Sequence, residues 1–288
     1  MVNGGVNVSK RSYIKSKKRV RILIEIIMII ITAVHLFPVF NLVCSSLKTS
    51  GDLMYHPVGL PHEIDLSNYQ VAWETLDYLR TLFNTTFICV VSILLIVLVG
   101  AFAAYPIARY NLKFNKVMYY VFLALIMIPG QAILIPLVRM YYRLGLVNTY
   151  HGMVIVYIVS AAPFAIFLYT GFIKTIPKSL EESAIIDGCG PFGAFIRIVF
   201  PLLKSVTTTV IILNIMSIWN DFLMPMLILQ KKEMRTLTPS IFNFFEEFST
   251  SWNYAFAASV LVMLPGILIF LLLQKHFVEG MVAGSVKS

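Results

Sequence analysis

The sequence is poor in charge. Charged residues make up 13% and hydrophobic residues 58% of its 288 residues, against roughly 25% and 45–50% in ordinary soluble domains. So few charges cannot cover a water-soluble globule of this length, which excludes a disordered chain and a cytosolic enzyme with one ordinary core. The composition therefore predicts a protein of the lipid bilayer.

Cysteine and phosphate-binding motifs are also scarce. Cys44, Cys89 and Cys189 lie in different segments, without C-x-x-C spacing or nearby histidines, so neither a disulfide framework nor a metal or redox site is indicated. We expect them to be packing residues. The Walker A run G-x-x-x-x-G-K-[ST] is missing. No cofactor is expected, and any ATP hydrolysis must come from a separate subunit.

Long apolar runs are what the sequence has in abundance. A helix that crosses about 30 Å of hydrocarbon needs about 20 mostly apolar residues, and six runs reach that length. They are continuous in Ile, Leu, Val and Phe and lack the alternation of barrel strands. The predicted fold class is an all-α integral membrane protein with six transmembrane helices. The predicted spans are 22–46, 84–108, 117–138, 152–172, 206–229 and 255–273.

The net charge of +9 is unevenly distributed along the chain. Most of the 23 lysines and arginines precede the first span, follow the second and fourth spans, or lie in the tail. Because basic residues accumulate on the cytoplasmic side, both termini are predicted to be cytoplasmic. No basic groove with interleaved aromatics is present, so nucleic-acid binding is not expected. The predicted division is a basic segment 1–21, a membrane domain 22–273 and a tail 274–288.

The first span could also be a signal peptide, because a basic start precedes an apolar run. The run is long for such a peptide, and no small-x-small cleavage site follows it. Val43 before Cys44 does not fit a lipoprotein cleavage site, where a small residue is expected. We therefore expect a retained first helix.

The connection 176–201, between the fourth and fifth spans, is longer than a helical hairpin needs. Ser179 and Glu182 have the S-x-x-E spacing of a capping box, which predicts a helix that begins there. Gly188 is expected to end that helix. A second helical piece is predicted over 192–199.

This short helix is predicted to have an apolar face, and Pro201 is expected to stop the piece that follows it. Leu180, Ala184 and Ile185 recur at i, i+4 and i+5, which suits one side of a helix. Two interpretations are open: a helix that rests on lipid headgroups, or a helix that binds in a groove of a soluble partner.

The same connection resembles the EAA loop of permease subunits in bacterial ABC importers. The family pattern is E-A-A, three residues, G, nine residues, I-x-L-P, and every spacing matches. The matching positions are Glu182, Ser183, Ala184, Gly188, Ile198 and Pro201. Ser183, Cys189 and Phe200 depart from the family's usual residues by modest changes in size.

Three further segments resemble the carbohydrate-importer branch of that family, which includes the maltose and multiple-sugar permeases. They are L-G-L-V-N-T-Y at 144–150, W-N-D-F-L-M-P from Trp219 and F-V-E-G-M-V-A-G-S-V-K-S from Phe277. With the EAA-like loop they span residues 144–288. The resemblance implies a multi-pass subunit of a bacterial cell membrane.

The resemblance also implies partners and a mechanism. A second permease subunit would complete a heterodimeric, or less readily a homodimeric, pore. A cytoplasmic ABC ATPase dimer would drive alternating access, and an extracytoplasmic solute-binding protein would deliver a carbohydrate, which we expect to be an oligosaccharide. The residues implied in ATPase coupling are Glu181, Glu182, Ser183, Ala184, Asp187, Gly188, Ile198 and Pro201.

Polar residues inside a span are costly unless they face protein or water, at about 2.5–3.5 kcal/mol for a charged one. Asn214, Trp219, Asn220 and Asp221 are therefore candidates for the substrate pathway. Asn214 and Asp221, seven positions apart, are expected to share a helix face. The alternative for Asp221 is a polar contact between helices that holds two permease subunits in register. Two weaker candidates are Asn84 and Gln131.

Prolines in the spans are candidates for bends, because each removes a helical hydrogen bond. The candidates are Pro129, Pro136, Pro163, Pro225 and Pro265, the first and last of which are followed by Gly130 and Gly266. Proline and glycine are common in membrane helices of every function, so hinge motion at any one of them remains open.

The outer loops 47–83 and 230–254 carry aromatic and acidic residues. In the family, a binding protein would meet this face, and an interfacial aromatic belt is the alternative. The aromatic and acidic residues of the second loop are Phe242, Phe244, Phe245, Glu246, Glu247, Phe248 and Trp252.

Three other functions remain as alternatives. An intramembrane enzyme would use Asp221 with His35 or His151, although no partner groups lie near these histidines in the sequence. An ion-driven secondary transporter would show internal repeats, and none is seen. A permease for a sugar-like solute such as glycerol phosphate would share every feature of the loop.

Overall fold

The computed structural model describes residues 5–244 and 252–285, and their side chains over 20–244 and 252–275. All regular elements in these residues are helical and none is a strand, which confirms the predicted all-α class. The helices are α1 (Gly5–Ser46), α2 (Ser50–Tyr55), α3 (Ser67–Leu76), α4 (Tyr78–Arg109), α5 (Lys113–Ile126), α6 (Leu134–Arg143), α7 (Tyr150–Ile173), α8 (Ser179–Ile186), α9 (Pro191–Ala194), α10 (Phe200–Leu202), α11 (Lys204–Trp219), α12 (Leu223–Ile228), α13 (Leu237–Ser240) and α14 (Trp252–Ser285).

These helices form two compact parts. One part contains α1, α2, the chain as far as Ala72, and the start of α14 as far as Val260. The other begins at Trp73 and contains α4 to α13 with α14 from Leu261 onward. The predicted coupling loop and all the predicted substrate-pathway residues lie in this second part.

Four helical segments are long and apolar enough to cross a bilayer. They are 20–46 of α1, α4, α7 and 252–275 of α14. Two further pairs satisfy the same test together but are sharply bent: α5 with Gly130–Arg143 at 93°, and Pro191–Leu202 with α11 at 71°. The described residues thus contain four candidate spans, or up to six if each bent pair counts as one.

The third span is not the continuous helix predicted over 117–138. α5 ends at Ile126, a 3-10 turn covers Gly130–Ile133, and α6 follows. Pro129 has no backbone N–H to donate, and glycine is a poor helix former, so the pair breaks the helix. The bend lies at Pro129, one of the prolines predicted to bend a span. Hinge motion at this bend during transport stays a prediction.

The fifth span also differs from the prediction, because α11 ends at Trp219 rather than near 229. The reason is local. Asp221 accepts hydrogen bonds from the backbone N–H groups of Leu223 and Met224, at 3.0 and 3.4 Å. A side chain that competes for backbone donors in this way favours a turn and a new helix start, so α12 begins at Leu223.

The core of the second part lies between α4 and α7. A Cβ atom at Gly100 would lie 2.9 Å from the Ala165 Cβ and 3.2 Å from the Tyr169 ring, so only glycine permits this approach of the two helices. Cys89 is buried in the same core, and Cys44 is buried elsewhere, as their predicted packing role requires. Cys189 is only half-buried.

Candidate functional site

The predicted coupling loop contains α8, and its C-terminal end has the geometry that the glycine predicts. Gly188 has φ of +91°, in the left-handed region that other residues avoid. Its N–H donates to the Ile185 carbonyl at 3.1 Å, and the Cys189 N–H donates to the Ala184 carbonyl at 2.9 Å. These two bonds are a Schellman motif, which satisfies the last carbonyls of the helix.

The start of α8 does not have the predicted capping box. Lys178, not Ser179, precedes the helix, its backbone is already helical, and no side chain caps it. The first turn is closed instead by backbone bonds from Leu180 to the Pro177 carbonyl and from Glu181 to the Lys178 carbonyl. Because the chain turns at Pro177, Ser179 lies inside the helix and its hydroxyl cannot act as the cap.

The piece after α8 is also different from the prediction, because Pro201 does not stop it. α9 continues as a π-helical turn over Phe195–Val199 and then as α10 through Pro201 to Leu202. A proline in the first turn of a helical segment has no N–H bond to lose. The bend before α11 comes at Leu203, whose ψ is 3°.

Glu181 ties α8 to the C-terminal end of α4. Its side chain is 8% exposed and forms an ion pair with Arg109, which is 6% exposed. The Tyr105 hydroxyl donates to Glu181 Oε2 at 2.8 Å, and Arg109 Nη2 donates to the Ile176 carbonyl at 3.1 Å. We call Glu181, Arg109 and Tyr105 the α8 anchor.

Aromatic packing supports the same attachment. The Phe195 ring centroid lies 4.7 Å from that of Tyr105 and 5.1 Å from that of Phe102. Phe102 also stacks with Phe192 at 5.9 Å. The π-helical turn is therefore packed directly on α4 beside the α8 anchor.

Sequence reasoning missed Arg109 and Tyr105, and assigned Glu181 to the partner-facing set. Arg109 was counted only as a topological charge. The available signal was a basic residue at the end of one predicted span and an acidic pair at the start of the short helix predicted at 179–188. Such a signal cannot say which of Glu181 and Glu182 faces inward, and the structure buries Glu181 and exposes Glu182.

Apolar side chains of the loop face outward. Leu180 and Ile185 are about half exposed, Phe192 is 68% exposed and Ile186 is 85% exposed. Other members of the predicted coupling set share this exposure. Glu182, Ser183, Asp187, Gly188 and Pro201 are exposed, and Ala184 and Ile198 are half-buried.

The predicted substrate-pathway residues do not form one polar stripe. Trp219 is buried and Asn220 exposed, and both line a cleft of about 220 Å³ between α11 and α14. The Asn220 amide donates to the Met216 carbonyl of its own helix at 2.9 Å. Because α11 ends at Trp219, Asn214 and Asp221 do not share a helix face, and that prediction was wrong.

Asp221 is held by groups of this chain. Besides the two backbone N–H groups at the start of α12, Tyr157 donates its hydroxyl to Asp221 Oδ2 at 3.0 Å. This polar contact lies within the chain, between α7 and the segment after α11. A contact of Asp221 with a second permease subunit stays a prediction.

Asn214 lines a different cavity, of about 240 Å³, between α7 and α11. The polar side chains of its wall are Tyr157, Ser160, Asn214 and Ser217. The other lining residues are Ala161, Phe164, Leu213 and Ile218. Tyr157 therefore connects the Asn214 cavity to Asp221.

Of the two weaker candidates for the substrate pathway, Asn84 has hydrogen-bond partners at both its amide nitrogen and its amide oxygen. Gln131 is exposed in the 3-10 turn before α6. The Asn84 amide donates to the carbonyls of Glu233 and Arg235 at 3.0 and 2.9 Å. Its oxygen accepts from the Tyr150 hydroxyl at 2.8 Å. Asn84 thus holds the 230–244 segment rather than a solute.

The aromatic residues predicted for the 230–254 loop are only partly exposed. Phe242 stacks with Phe222 at 4.5 Å and is 45% exposed, and Trp252 is 53% exposed. Phe244 is buried, so it cannot contribute to an outer surface. Phe245, Glu246, Glu247 and Phe248 lie outside the described residues.

Comparison with known proteins places this geometry in a family. Residues 96–282 match the family described as "Binding-protein-dependent transport system inner membrane component". The chain is 37% identical to the melibiose/raffinose/stachyose import permease protein MelC of Bacillus subtilis, over 92% of this chain and 96% of that protein. It is also 37% identical to the multiple sugar-binding transport system permease protein MsmG of Streptococcus mutans, over 88% and 92% of the two chains.

A solved structure has the same fold. The bacterial ABC transporter involved in the import of the acidic polysaccharide alginate superposes with a TM-score of 0.80 at 22% identity, over 91% of this chain and 98% of that one. The family match covers more than half of the sequence, and the named relatives are transport permeases. The chain therefore belongs to the inner-membrane permease components of binding-protein-dependent ABC importers, as its sequence predicted, and it is a transport subunit rather than an enzyme.

Proposed function

We propose that this chain is one half of the pore of an ATP-driven carbohydrate importer, and that the 176–202 loop receives the motion of an ABC ATPase. The observation that carries the proposal is the combination of an exposed apolar helix, α8, with a buried attachment to α4. A helix that only rested on lipid would need no buried ion pair to fix its position.

The two glutamates of α8 would divide the task. Glu182 and the nearby Asp187 are exposed and available to basic groups of the ATPase, while Ile186 and Leu180 fill an apolar cleft. Glu181 faces inward and transmits the movement to α4 through Arg109. Closing the ATPase dimer on ATP would move α8 and rock α4 and α7 together, because those two helices are closely packed.

Neutral oligosaccharides are the proposed solutes. The names of both permease relatives refer to sugars, and hydroxyl and amide groups line the Asn214 cavity. These groups donate to and accept from sugar hydroxyls. No lysine or arginine lines this cavity within the described residues, whereas a phosphate would call for one. Glycerol phosphate is therefore the weaker candidate, and Asn214 the stronger contact than Asp221.

The coupling role can be tested with Ile186→Asp. A carboxylate in an apolar cleft carries a desolvation cost that nothing in the loop offsets, so we expect uptake and ATPase association to fall at least tenfold. Leu66→Asp is the matched control for ATPase association, since Leu66 is 66% exposed and lies outside the loop. Uptake and co-purified ATPase should be measured in the assembled complex. Normal values for both in Ile186→Asp would overturn the coupling role.

The energy source and solute class can be tested in proteoliposomes that contain this chain, its partner permease and the ATPase. We expect uptake of a labelled oligosaccharide to require ATP and the binding protein, and to persist with an ionophore that removes ion gradients. Loss of uptake with the ionophore alone would favour the ion-driven alternative. Uptake of glycerol phosphate in place of sugars would overturn the solute class.

The same complex can test topology and assembly. We propose that both termini are cytoplasmic and that the second permease subunit is a different chain. Single cysteines placed at positions 3 and 287 should react with membrane-impermeant reagents only in inverted vesicles. Modification from outside, or a complex that contains two copies of this chain, would contradict the respective proposal.

A further inference from the structure

We propose that Asp52, His56 and His62 form a binding site for a divalent transition-metal ion, with Zn²⁺ the best match. The three residues lie in the segment between α1 and α3. Each offers one ligand atom, and these atoms lie within 4.8 Å of one another. The site is independent of the coupling loop and of the proposed solute.

The first two ligands are placed by α2. Asp52 lies in α2, and His56 is the residue that directly follows the end of this helix. The Thr49 hydroxyl caps the Asp52 N–H at 3.2 Å, and the His56 N–H donates to the Asp52 carbonyl at 2.8 Å. The Lys48 Nζ donates to the His56 carbonyl at 2.6 Å, which fixes the backbone there and leaves the imidazole free.

A short turn brings back the third ligand. The intervening residues 57–61 are P-V-G-L-P: the two prolines restrict φ, and Gly59 has φ of +104°. His62 therefore returns to Asp52. Its backbone N–H donates to Asp52 Oδ2 at 3.0 Å, and its Nδ1 lies 2.7 Å from Oδ1. The ring centroids of His56 and His62 are 4.6 Å apart.

This arrangement is pre-organised, because the ligands converge through backbone geometry. The Asp52 side chain is 8% exposed and that of His62 is 66% exposed. An ion could therefore enter from solvent and keep a water molecule on its open side.

The donor set selects the metal. Two imidazoles and one carboxylate, with a fourth position open to water, match known zinc sites. Mg²⁺ and Ca²⁺ prefer oxygen ligands only. With metal–ligand distances of about 2.0–2.1 Å, tetrahedral ligand atoms lie about 3.3 Å apart. To admit the ion, the His62–Asp52 contact must open by about half an ångström, and ligand atoms that lie up to 4.8 Å apart must approach by up to about 1.5 Å.

The test uses the full-length chain with its partner subunits in detergent, without a polyhistidine tag. We expect one Zn²⁺ per chain at this site by calorimetry, and Co²⁺ should give the absorption of a tetrahedral complex. His56→Gln and His62→Gln should each weaken Zn²⁺ binding more than tenfold. His151→Gln is the matched control, because His151 lies outside the cluster, and it should bind as the parent does.

A second variant separates the turn from the ligands. Gly59→Ala retains all three ligand side chains, and a Cβ at Gly59 meets no atom within 4 Å, so the variant acts through backbone strain. We expect about tenfold weaker Zn²⁺ binding. Gly51→Ala in α2, where a Cβ also meets nothing, should bind normally.

The histidine variants should co-purify with the partner subunits in the same amount as the parent chain does, which shows that they are folded. Zn²⁺ binding that is unaffected by both His56→Gln and His62→Gln would overturn the site. So would the absence of Zn²⁺ binding in a parent complex that transports normally. Neither outcome would affect the proposed importer function.

Discussion

At its N-terminal end, α4 holds the 230–244 segment with neutral groups: Asn84 donates to two carbonyls, and Thr85 accepts from the Leu237 N–H at 2.9 Å. At its C-terminal end, the same helix holds α8 with a buried ion pair between Arg109 and Glu181. Both attachments cross from a long apolar helix to a polar loop, yet only one of them uses charge.

The difference indicates different mechanical demands. A neutral network whose members are all satisfied fixes a loop with little penalty if one bond lengthens. A buried ion pair leaves an uncompensated charge when its partners separate. α8 is therefore attached so that it cannot move away from α4 without a large cost, which is what a coupling element requires.

The largest loss of stability is expected when the ion pair between Arg109 and Glu181 is broken. Arg109→Ala should lower the free energy of unfolding by about 3–5 kcal/mol, because Glu181 remains buried without its partner. Unfolding in mixed micelles and the amount of folded chain in membranes would measure this. Glu182→Leu, which changes the exposed neighbour, should stay within about 0.5 kcal/mol.

A double replacement makes the test of charge more specific. Arg109→Met with Glu181→Leu removes both charges and keeps side-chain volume, so it should recover most of the stability lost in Arg109→Ala. Uptake should not recover, if the anchor transmits motion. A double variant as unstable as Arg109→Ala would contradict the role of the buried charge.

The second largest effect is expected at the other end of α4. Asn84→Ala leaves the carbonyls of Glu233 and Arg235 and the Tyr150 hydroxyl without their present partner, at a cost of about 2–3 kcal/mol. Hydrogen exchange in residues 230–244 should become faster while that of α8 is unchanged. Asn220→Ala, whose amide bonds only within its own helix, is the control. If Asn84→Ala raised the exchange rate equally in residues 230–244 and in α8, the two attachments would not be independent.

The sequence predicted several of the helices that form these two attachments. The helix ends that it did not predict have physical causes. Apolar run length predicted α4 and α7, and the glycine pattern predicted the end of α8 at Gly188. Run length could not predict the break at Pro129 or the stop at Trp219, because hydropathy continues through both. The helix stop depends on Asp221, whose competition for backbone N–H groups outweighs the apolar residues after it.

The candidate site shows the same limit. The spacing of Glu182 and Gly188 was enough to predict a coupling loop, but not to tell which glutamate is buried. That assignment requires the phase of α8 relative to α4, which is set by the Arg109 contact across more than 70 residues of sequence. The capping box failed for a related reason, because the turn at Pro177 moved the helix start before Ser179.

A smaller loss of stability is expected from replacing Gly188 than from breaking the ion pair, and Gly190 in the same loop serves as its control. Gly188→Ala places a side chain at φ of +91°, which costs about 1–2 kcal/mol. Gly190 has φ of −69°, so Gly190→Ala should change stability by less than about 0.5 kcal/mol. A Cβ meets no atom within 4 Å at either position. Unfolding in mixed micelles should therefore report backbone strain alone, and equal effects would exclude the left-handed cap as the cause.

The smallest difference in stability is expected between two tyrosine hydroxyls, one in each attachment of α4. Tyr105 belongs to α4 itself, and Tyr150 is the first residue of α7. Tyr105 donates to the Glu181 carboxylate and Tyr150 to the Asn84 amide oxygen, both at 2.8 Å. A hydrogen bond to a charged group contributes about 1.5–3 kcal/mol and one to a neutral group about 0.5–1.5. Tyr105→Phe should therefore destabilise the chain by about 1 kcal/mol more than Tyr150→Phe in paired unfolding measurements. If the order is reversed, charge is not what distinguishes the two attachments, and the coupling role of the α8 anchor would have to rest on packing with Phe195.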